Sequence, residues 1–427
     1  MSIAKKLQSS LASYKGTVDA ELGAQNLSSW NVSASGFTVD DIAPNIQFID
    51  SDTDDFLVSY GDNDRYMNTA ILTTTGGTFS WGNRISQYVY GGIKGTQALS
   101  TSSTNGFYIE GYSNSYKPTL HTLSLNTSSK SISEVTTYQL STDGSYGFSN
   151  HSSENRLIKD VNGVYHLFGT TSSQYLYVQN FQVGTNGQVT SSSGTYYSIG
   201  LSVPYNEFHV YYIADADTFY VSYKYYNGST WRGRIVPVTF NGSTYSTGNY
   251  RNCGDSFSSE SRAAMPTLGY NPVTQTAYAL GSYVGGNGGD GVVGVSAVEV
   301  ASGTLTIGTP VNIDDNGFTT TQSSWNFFST TTKRMDNYSS VEFEQVAGET
   351  VVVVSNYYNS TELWQIRSEN NSITEQIKIS SGLGSLYVKK NNSFVYDAEN
   401  EKSIFLYGIY TGGNYKLAAR HITAQIN

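Results

Sequence analysis

Cysteine is almost absent from this chain, with one residue, Cys253, in 427. A lone thiol excludes an internal disulfide framework. Proline is nearly as scarce, at seven, so no Pro-rich linker divides the chain. Charged residues make up 14% and the balance is acidic, with net charge −10 and pI near 5.0. Phosphate binding rests on clustered Lys and Arg, so this balance argues against nucleic acid as a partner. No apolar run approaches the length needed to cross a bilayer, and no membrane role is expected. Lys5 and Lys6 are not followed by an apolar segment, so no cleavable secretion signal is expected either.

Catalytic signatures are missing as well. The sequence contains no GxxxxGK[ST], HExxH, paired CxxC or GxSxG. STDGSYGF (141–148) departs from a sialidase-type SxDxGxxW box in the place of its glycine and the lack of Trp. The stretch GGNGGDG (285–291) has neither the Lys nor the following helix of a phosphate loop. Paired carboxylates for glycoside hydrolysis are not legible: Glu110, Glu342 and Glu344 lie in strand patterns and Asp215 and Asp217 near one. The expectation is a protein that is not an enzyme.

What the chain does contain is Gly (42), Tyr (35) and abundant Ser, Thr and Asn: strand formers alternating with turn formers. The pattern repeats. FLVSYGD (56–62), FYIEGYS (107–113), VYHLFGT (164–170), FYVSYKY (219–225), AYALGSY (277–283), VVVVSNY (351–357) and IFLYGIY (404–410) are seven versions of one apolar strand. Between Tyr60 and Tyr410, six intervals span 350 residues, about 58 each, somewhat longer than the roughly 40–50 of familiar propeller repeats. A shorter strand precedes each apolar one, as in NIQFID (45–50) and SFVYDA (393–398), and a hairpin follows. The hairpin turns carry Gly76-Gly77, Asn186-Gly187, Asn241-Gly242 and Ser302-Gly303, residues that supply positive φ.

Four strands per unit make a propeller blade. The seventh unit stops at its third strand, 416–426, while 28–39 forms a strand with no unit of its own. Laying the second on the first closes a ring and covers an aggregation-prone edge. The expected fold is therefore all-β: a seven-bladed β-propeller of four-stranded antiparallel blades, closed by an N-terminal strand on the last blade. Residues 28–427 form the propeller and 1–27 an N-terminal arm. In that arm Ile3, Leu7, Leu11 and Tyr14 recur at helical spacing and suit an assembly contact or packing across the disc.

In such a blade the loops between strands 2 and 3 share one face with the crossings to the next blade. Here those loops are aromatic: Tyr225, Tyr226 and Trp231 in one, Tyr357, Tyr358 and Trp364 in another. The long crossing 312–339, with Trp325, Phe327, Phe328 and Arg334, falls on the same face. Rings on a rigid platform suit sugar stacking or a protein contact, and packing between blades is the plainer use of them. The five histidines are scattered singly and read as satisfied strand residues rather than metal ligands. Asp50, Asp52 and Asp54 in IDSDTDDF are the one candidate calcium set. Their counterparts ADADTF (214–219) and DAENEK (397–402) make acidic turns a habit of the repeat, so no cofactor is expected.

The segments 212–248 and 270–311 resemble propeller repeats of bacteriophage virion proteins, notably those of marine and cyanobacterial phages, and MSIAKKLQ resembles the start of some phage structural proteins. The resemblance implies a particle component: tail or baseplate, fibre attachment, or head decoration. It implies contacts with other virion proteins through the arm or one propeller face, possible engagement of a host surface glycan, assembly in the host cytoplasm and release by lysis. The long 312–339 crossing and the irregular third unit, NRLIKDVNGVYHLF (155–168), depart from the repeat style.

Overall fold

The computed structural model describes residues 18–32, 44–49, 54–61, 66–75, 77–88, 98–110, 118–140, 156–170, 174–194, 196–203, 208–258, 266–271, 276–284, 291–312, 343–346, 349–356, 360–370, 372–380, 386–387, 394–397 and 402–426. Among these the chain is all-β, folded into seven antiparallel sheets that follow one another in sequence. Six of them are built on four strands in chain order, and in the last Phe394–Asp397, Lys402–Thr411 and Asn414–Ile426 are joined by the N-terminal Val18–Leu22. In the fourth sheet the strands are Phe208–Ile213, Thr218–Tyr226, Trp231–Phe240 and Tyr245–Thr247. The irregular third unit builds the same sheet from Arg156–Lys159, Tyr165–Thr170, Tyr175–Val183 and Val189–Ser192.

Burial explains why the second strands are nearly continuous apolar runs. Tyr165–Thr170 is buried at all six positions, because neighbouring sheets cover both of its faces. The outermost strand of the second sheet, Ser131–Gln139, buries only Ile132. Consecutive sheets pack face to face through apolar clusters. Phe168, Leu176 and Val178 of the third sheet meet Phe219, Val221 and Val236 of the fourth. Ile235 and Cys253 of the fourth meet Leu268 and Ala279 of the fifth. A further cluster joins the last sheet to the first, with Ile404, Leu406, Leu417 and Ala419 against Ile46, Phe56, Val58 and Tyr60.

The N-terminal strands on the last sheet lie mostly before the expected 28–39, of which 33–39 are outside the described residues. Val18–Leu22 pairs antiparallel with Ile422–Ile426, Asn26–Leu27 with Ala418–Ala419, and Val32 bridges to Tyr415. Strand pairing thus reaches back to Val18, where VDAEL alternates apolar and polar residues, a period of two that helical spacing upstream obscured in the sequence. Ile3, Leu7, Leu11 and Tyr14 lie outside the described residues.

The hairpin glycines behave as their sequence context requires. Gly77, Gly187, Gly242 and Gly303 all have positive φ, between 68° and 92°. In the second and sixth sheets Lys130 (φ 51°) and Asn370 (φ 49°) take that role without glycine.

A second glycine position was not expected. In several sheets the fourth strand is broken in two, as Thr78–Trp81 then Ile85–Tyr88, and Tyr245–Thr247 then Arg251–Asn252. At the breaks Gly82 and Gly248 receive a carbonyl from the hairpin turn of the next sheet. A Cβ on Gly82 would lie 2.5 Å from the Lys130 carbonyl oxygen, and one on Gly248 2.4 Å from that of Gly303. Only backbone can move to relieve such a contact, so Gly248→Ala is expected to cost about 2–3 kcal/mol. Gly242→Ala, where a Cβ meets nothing within 4 Å, carries only the left-handed backbone penalty of about 1–2 kcal/mol. Urea unfolding of the two variants checks the order; equal midpoints would remove the steric account.

Candidate functional site

The aromatic loop of the fourth sheet is the best-built surface feature among the described residues. Its strands pair Tyr226 with Trp231, Tyr225 with Arg232 and Tyr223 with Arg234. The loop between them, 227–230, is pinned by Asn227, whose Oδ1 accepts from the backbone N–H groups of Ser229 (3.0 Å) and Thr230 (2.8 Å). The Tyr226 hydroxyl donates to the Gly228 carbonyl at 2.8 Å. Trp231 is held from the other side by a two-way backbone pair with Phe257. The Tyr226 and Trp231 rings therefore stand beside each other at 4.8 Å on a braced turn, with Tyr226 43% exposed.

Opposed side chains of an antiparallel pair share a face, and successive residues alternate. Tyr226 and Trp231 are thus on the face turned to the fifth sheet. Tyr223, Tyr225, Arg232 and Arg234 are on the face turned to the third. There the Arg234 guanidinium carbon lies 3.2 Å from the centroid of the Tyr225 ring and 3.8 Å from that of Tyr250, a residue in the break of the fourth strand. Its Nε donates to Asn252 Oδ1 at 3.3 Å. Burial pushes the Tyr223 phenol above its usual value, and the Arg234 charge beside it acts in the opposite direction.

The seventh sheet repeats the ring pair. Tyr410 and Tyr415 oppose each other at the end of their strands with ring centroids 4.8 Å apart, and Tyr410 is 57% exposed. The turn beyond them, Gly412-Gly413, has positive φ at both positions. In the sequence Tyr410 marks only the end of the seventh apolar strand.

Of the expected site residues, Tyr226 and Trp231 are brought together, and Tyr225 lies on the opposite face of the same hairpin. Trp325, Phe327, Phe328, Arg334, Tyr357 and Tyr358 lie outside the described residues, as do Asp50 and Asp52 and the side chain of Trp364. Sequence reading missed Arg232, Arg234 and Tyr250. The two arginines were legible: counting back across the 227–230 turn places each opposite a tyrosine. Tyr250 was not, because nothing local announces the break in the fourth strand.

The acidic turns have structural partners. Tyr212 donates to Asp217 Oδ1 at 2.6 Å, Tyr270 of the next sheet to Asp215 Oδ2 at 2.5 Å, and Thr73 to Asp55 Oδ1 at 2.5 Å. Asp54 is exposed, and among the described residues no group of three or more His, Cys, Asp and Glu converges as a metal site. The histidines occupy packing positions: His121 stacks on Tyr108 and His421 on Phe79. His166, buried between the third and fourth sheets, is bonded through both ring nitrogens, to Tyr245 and Asp160.

No family model and no curated protein matches the sequence. Similarity appears among solved structures. The BP39L lectin from Burkholderia pseudomallei superposes with a TM-score of 0.57 at 8% identity, covering 91% of this chain and 96% of the lectin. A candidate 6-phosphogluconolactonase from Bacteroides fragilis gives 0.47 at 11% identity, over 88% and 92% of the two chains. The β-propeller domain of the Trilobed protease from Pyrococcus furiosus gives 0.42 at 7% identity, over 87% and 91%. Identities this low speak to fold.

Proposed function

We propose that the seven sheets are the blades of a closed seven-bladed β-propeller, and that the protein is a non-enzymatic binding module taking carbohydrate on the face that carries its strand 2–3 loops. Closure is supported by the pairing of Val18–Leu22 with the last strand and by the apolar cluster joining the last sheet to the first. The observation that carries the binding role is the Tyr226–Trp231 pair, two adjacent rings braced by Asn227 and repeated as Tyr410–Tyr415. A pyranose presents a flat C–H surface that such rings receive, and a rigid aromatic contact loses little side-chain entropy on binding. The extended fold likeness to a lectin accords with this reading.

A glycan array tests it. Selective, saturable binding is expected, weakened at least about tenfold, or about 1.4 kcal/mol, by Trp231→Ala. The backbone pair of Trp231 with Phe257 does not need the indole, so the variant should keep its melting temperature. Binding unchanged by Trp231→Ala and Tyr410→Ala together would sink this site.

A second reading is favoured by the repeat style of 212–248 and 270–311: a structural component of a bacteriophage particle, making protein contacts through its N-terminal arm or a propeller face. The two readings meet if the glycan belongs to a host surface. Mass spectrometry of purified particles tests the second on its own; absence of the chain from them refutes it.

A further inference from the structure

We infer that the outer end of the fourth sheet is a subsite for an acidic saccharide, with Arg234 receiving the sugar's carboxylate; this rests on the carbohydrate reading above and goes beyond it in naming the ligand's charge. The chain has only 24 Lys and Arg against 34 Asp and Glu. Arg232 and Arg234 nonetheless share one face of the fourth sheet, opposite Tyr225 and Tyr223, while Arg251, opposite Ile235, lies on the other face. None of the three has a carboxylate partner among the described residues. Arg232 bonds to the Ser256 hydroxyl, Arg251 to the Tyr250 carbonyl at 3.2 Å, and Arg234 to Asn252 at 3.3 Å.

Arg234 is the one prepared for an anion. The Tyr225 and Tyr250 rings cover both faces of its guanidinium, and its side-chain hydrogen-bond partners, Asn252 and Tyr223, are neutral. Rings on both faces hold the plane fixed and keep water off it, leaving the edge donors as the only outlet for the charge. A planar edge of paired N–H groups matches the two oxygens of a carboxylate. Tyr250, 48% exposed, leaves this edge within reach of solvent and offers a ring surface beside it for the sugar. A nucleic acid would need cations spaced along a track of phosphates, and a single cluster on a protein of net charge −10 does not supply one.

The test is calorimetric titration of the full chain with trigalacturonic acid and with neutral galactotriose, for the native protein and for Arg234→Gln. The acid is expected to bind at least tenfold tighter than the neutral sugar, and Arg234→Gln to erase that preference while leaving neutral-sugar affinity within twofold. Arg234→Lys, which keeps charge but not the planar fork, should recover only part of the preference. Should Arg234→Gln lower the melting temperature, Tyr250→Ala, on the exposed break, is the second variant and should reduce acid binding more than neutral-sugar binding. Equal affinity for the two sugars, or a preference that survives Arg234→Gln, overturns the inference and leaves the carbohydrate reading standing. Single-stranded DNA competing as well as the acid would also overturn it, as a non-specific anion surface. No binding of either sugar, with a blank glycan array, removes both.

Discussion

Removal of residues 1–32 is expected to convert a cooperatively melting protein into one that aggregates at ordinary temperature. The segment does more than lengthen a sheet. Its backbone bonds run along the last strand, from Gly23 N–H to the His421 carbonyl (2.8 Å), through Ser28 to Leu417 (2.8 Å), to Val32 and Tyr415 (2.8 Å). Its side chains reach the first sheet: the Trp81 indole donates to Asn26 Oδ1 at 2.9 Å, Trp30 packs edge-on to Trp81 at 5.4 Å, and Arg84 donates to the Asn31 carbonyl at 3.2 Å. Val32, 1% exposed, is part of the cluster joining the last and first sheets. Without the segment, Asn414–Ile426 becomes a 13-residue open edge, the form of strand that templates association. The loss exceeds about 5 kcal/mol, comparable to the whole stability of a typical domain. Val32→Asp, which buries an unpaired charge in that cluster, is expected to cost about 3 kcal/mol on its own. Light scattering during a thermal ramp reads the truncation, and a synthetic peptide spanning 16–33 added in trans should restore the transition. A truncated protein melting at the native temperature would mean that the fold does not depend on this strand.

His166 is expected to give the largest effect of any single side chain distant from the N-terminal strand. It stands on the second strand of the third sheet with no exposure, and the Asp160 side chain beside it is 3% exposed. Its Nε2 lies 3.2 Å from Asp160 Oδ2 and its Nδ1 2.6 Å from the hydroxyl of Tyr245, which belongs to the fourth sheet. An ionised carboxylate only accepts, so the neutral ring carries its proton on Nε2 and Nδ1 accepts from Tyr245. The other Asp160 oxygen accepts from the backbone of Asn162 (2.9 Å) and Val164 (2.8 Å), fixing the turn. Phe219 and Phe240 pack around the ring. His166→Ala would leave a carboxylate oxygen and a phenol buried without this partner, and a cavity besides, at a cost of about 3–5 kcal/mol.

The same site should make stability depend on pH. Burial, the largest influence, lowers the His166 pKa from 6.5, and Asp160 opposes it without reversing the sign. The folded protein therefore binds this proton less readily than the unfolded chain. The stability this neutral ring confers is complete above 6.5 and is lost as pH falls through the depressed folded value. Urea unfolding at about pH 7.5 and about pH 5 should show the gap between native protein and His166→Gln narrowing at the lower pH. A gap that widens would mean that the charged ring is the one the fold prefers.

Much of this architecture is legible from periodicity because a repeat states its local rules seven times. Gly77, Gly187, Gly242 and Gly303 were placed in tight turns from sequence, and each has positive φ. Lys130 and Asn370 show the limit of that reading: a turn can impose the left-handed region on a residue whose type does not announce it. The candidate site divides in the same way. Tyr226 and Trp231 follow from a short loop between two strands, whereas the covering of Arg234 by Tyr250 depends on where the outer strand breaks, and that is set by Gly248 against the neighbouring sheet's Gly303 carbonyl.

Sequence alone determined the strand class, the recurrence of the apolar strand and the turn glycines, because each depends on residue type and spacing within a few tens of positions. Tertiary structure decided that the paired N-terminal segment reaches back to Val18, that a glycine breaks the outer strands, that the acidic turns serve neighbouring hydroxyls, and that Tyr250 covers Arg234. These depend on contacts between strands distant in sequence or between adjacent sheets, and such contacts leave no periodic trace in the chain.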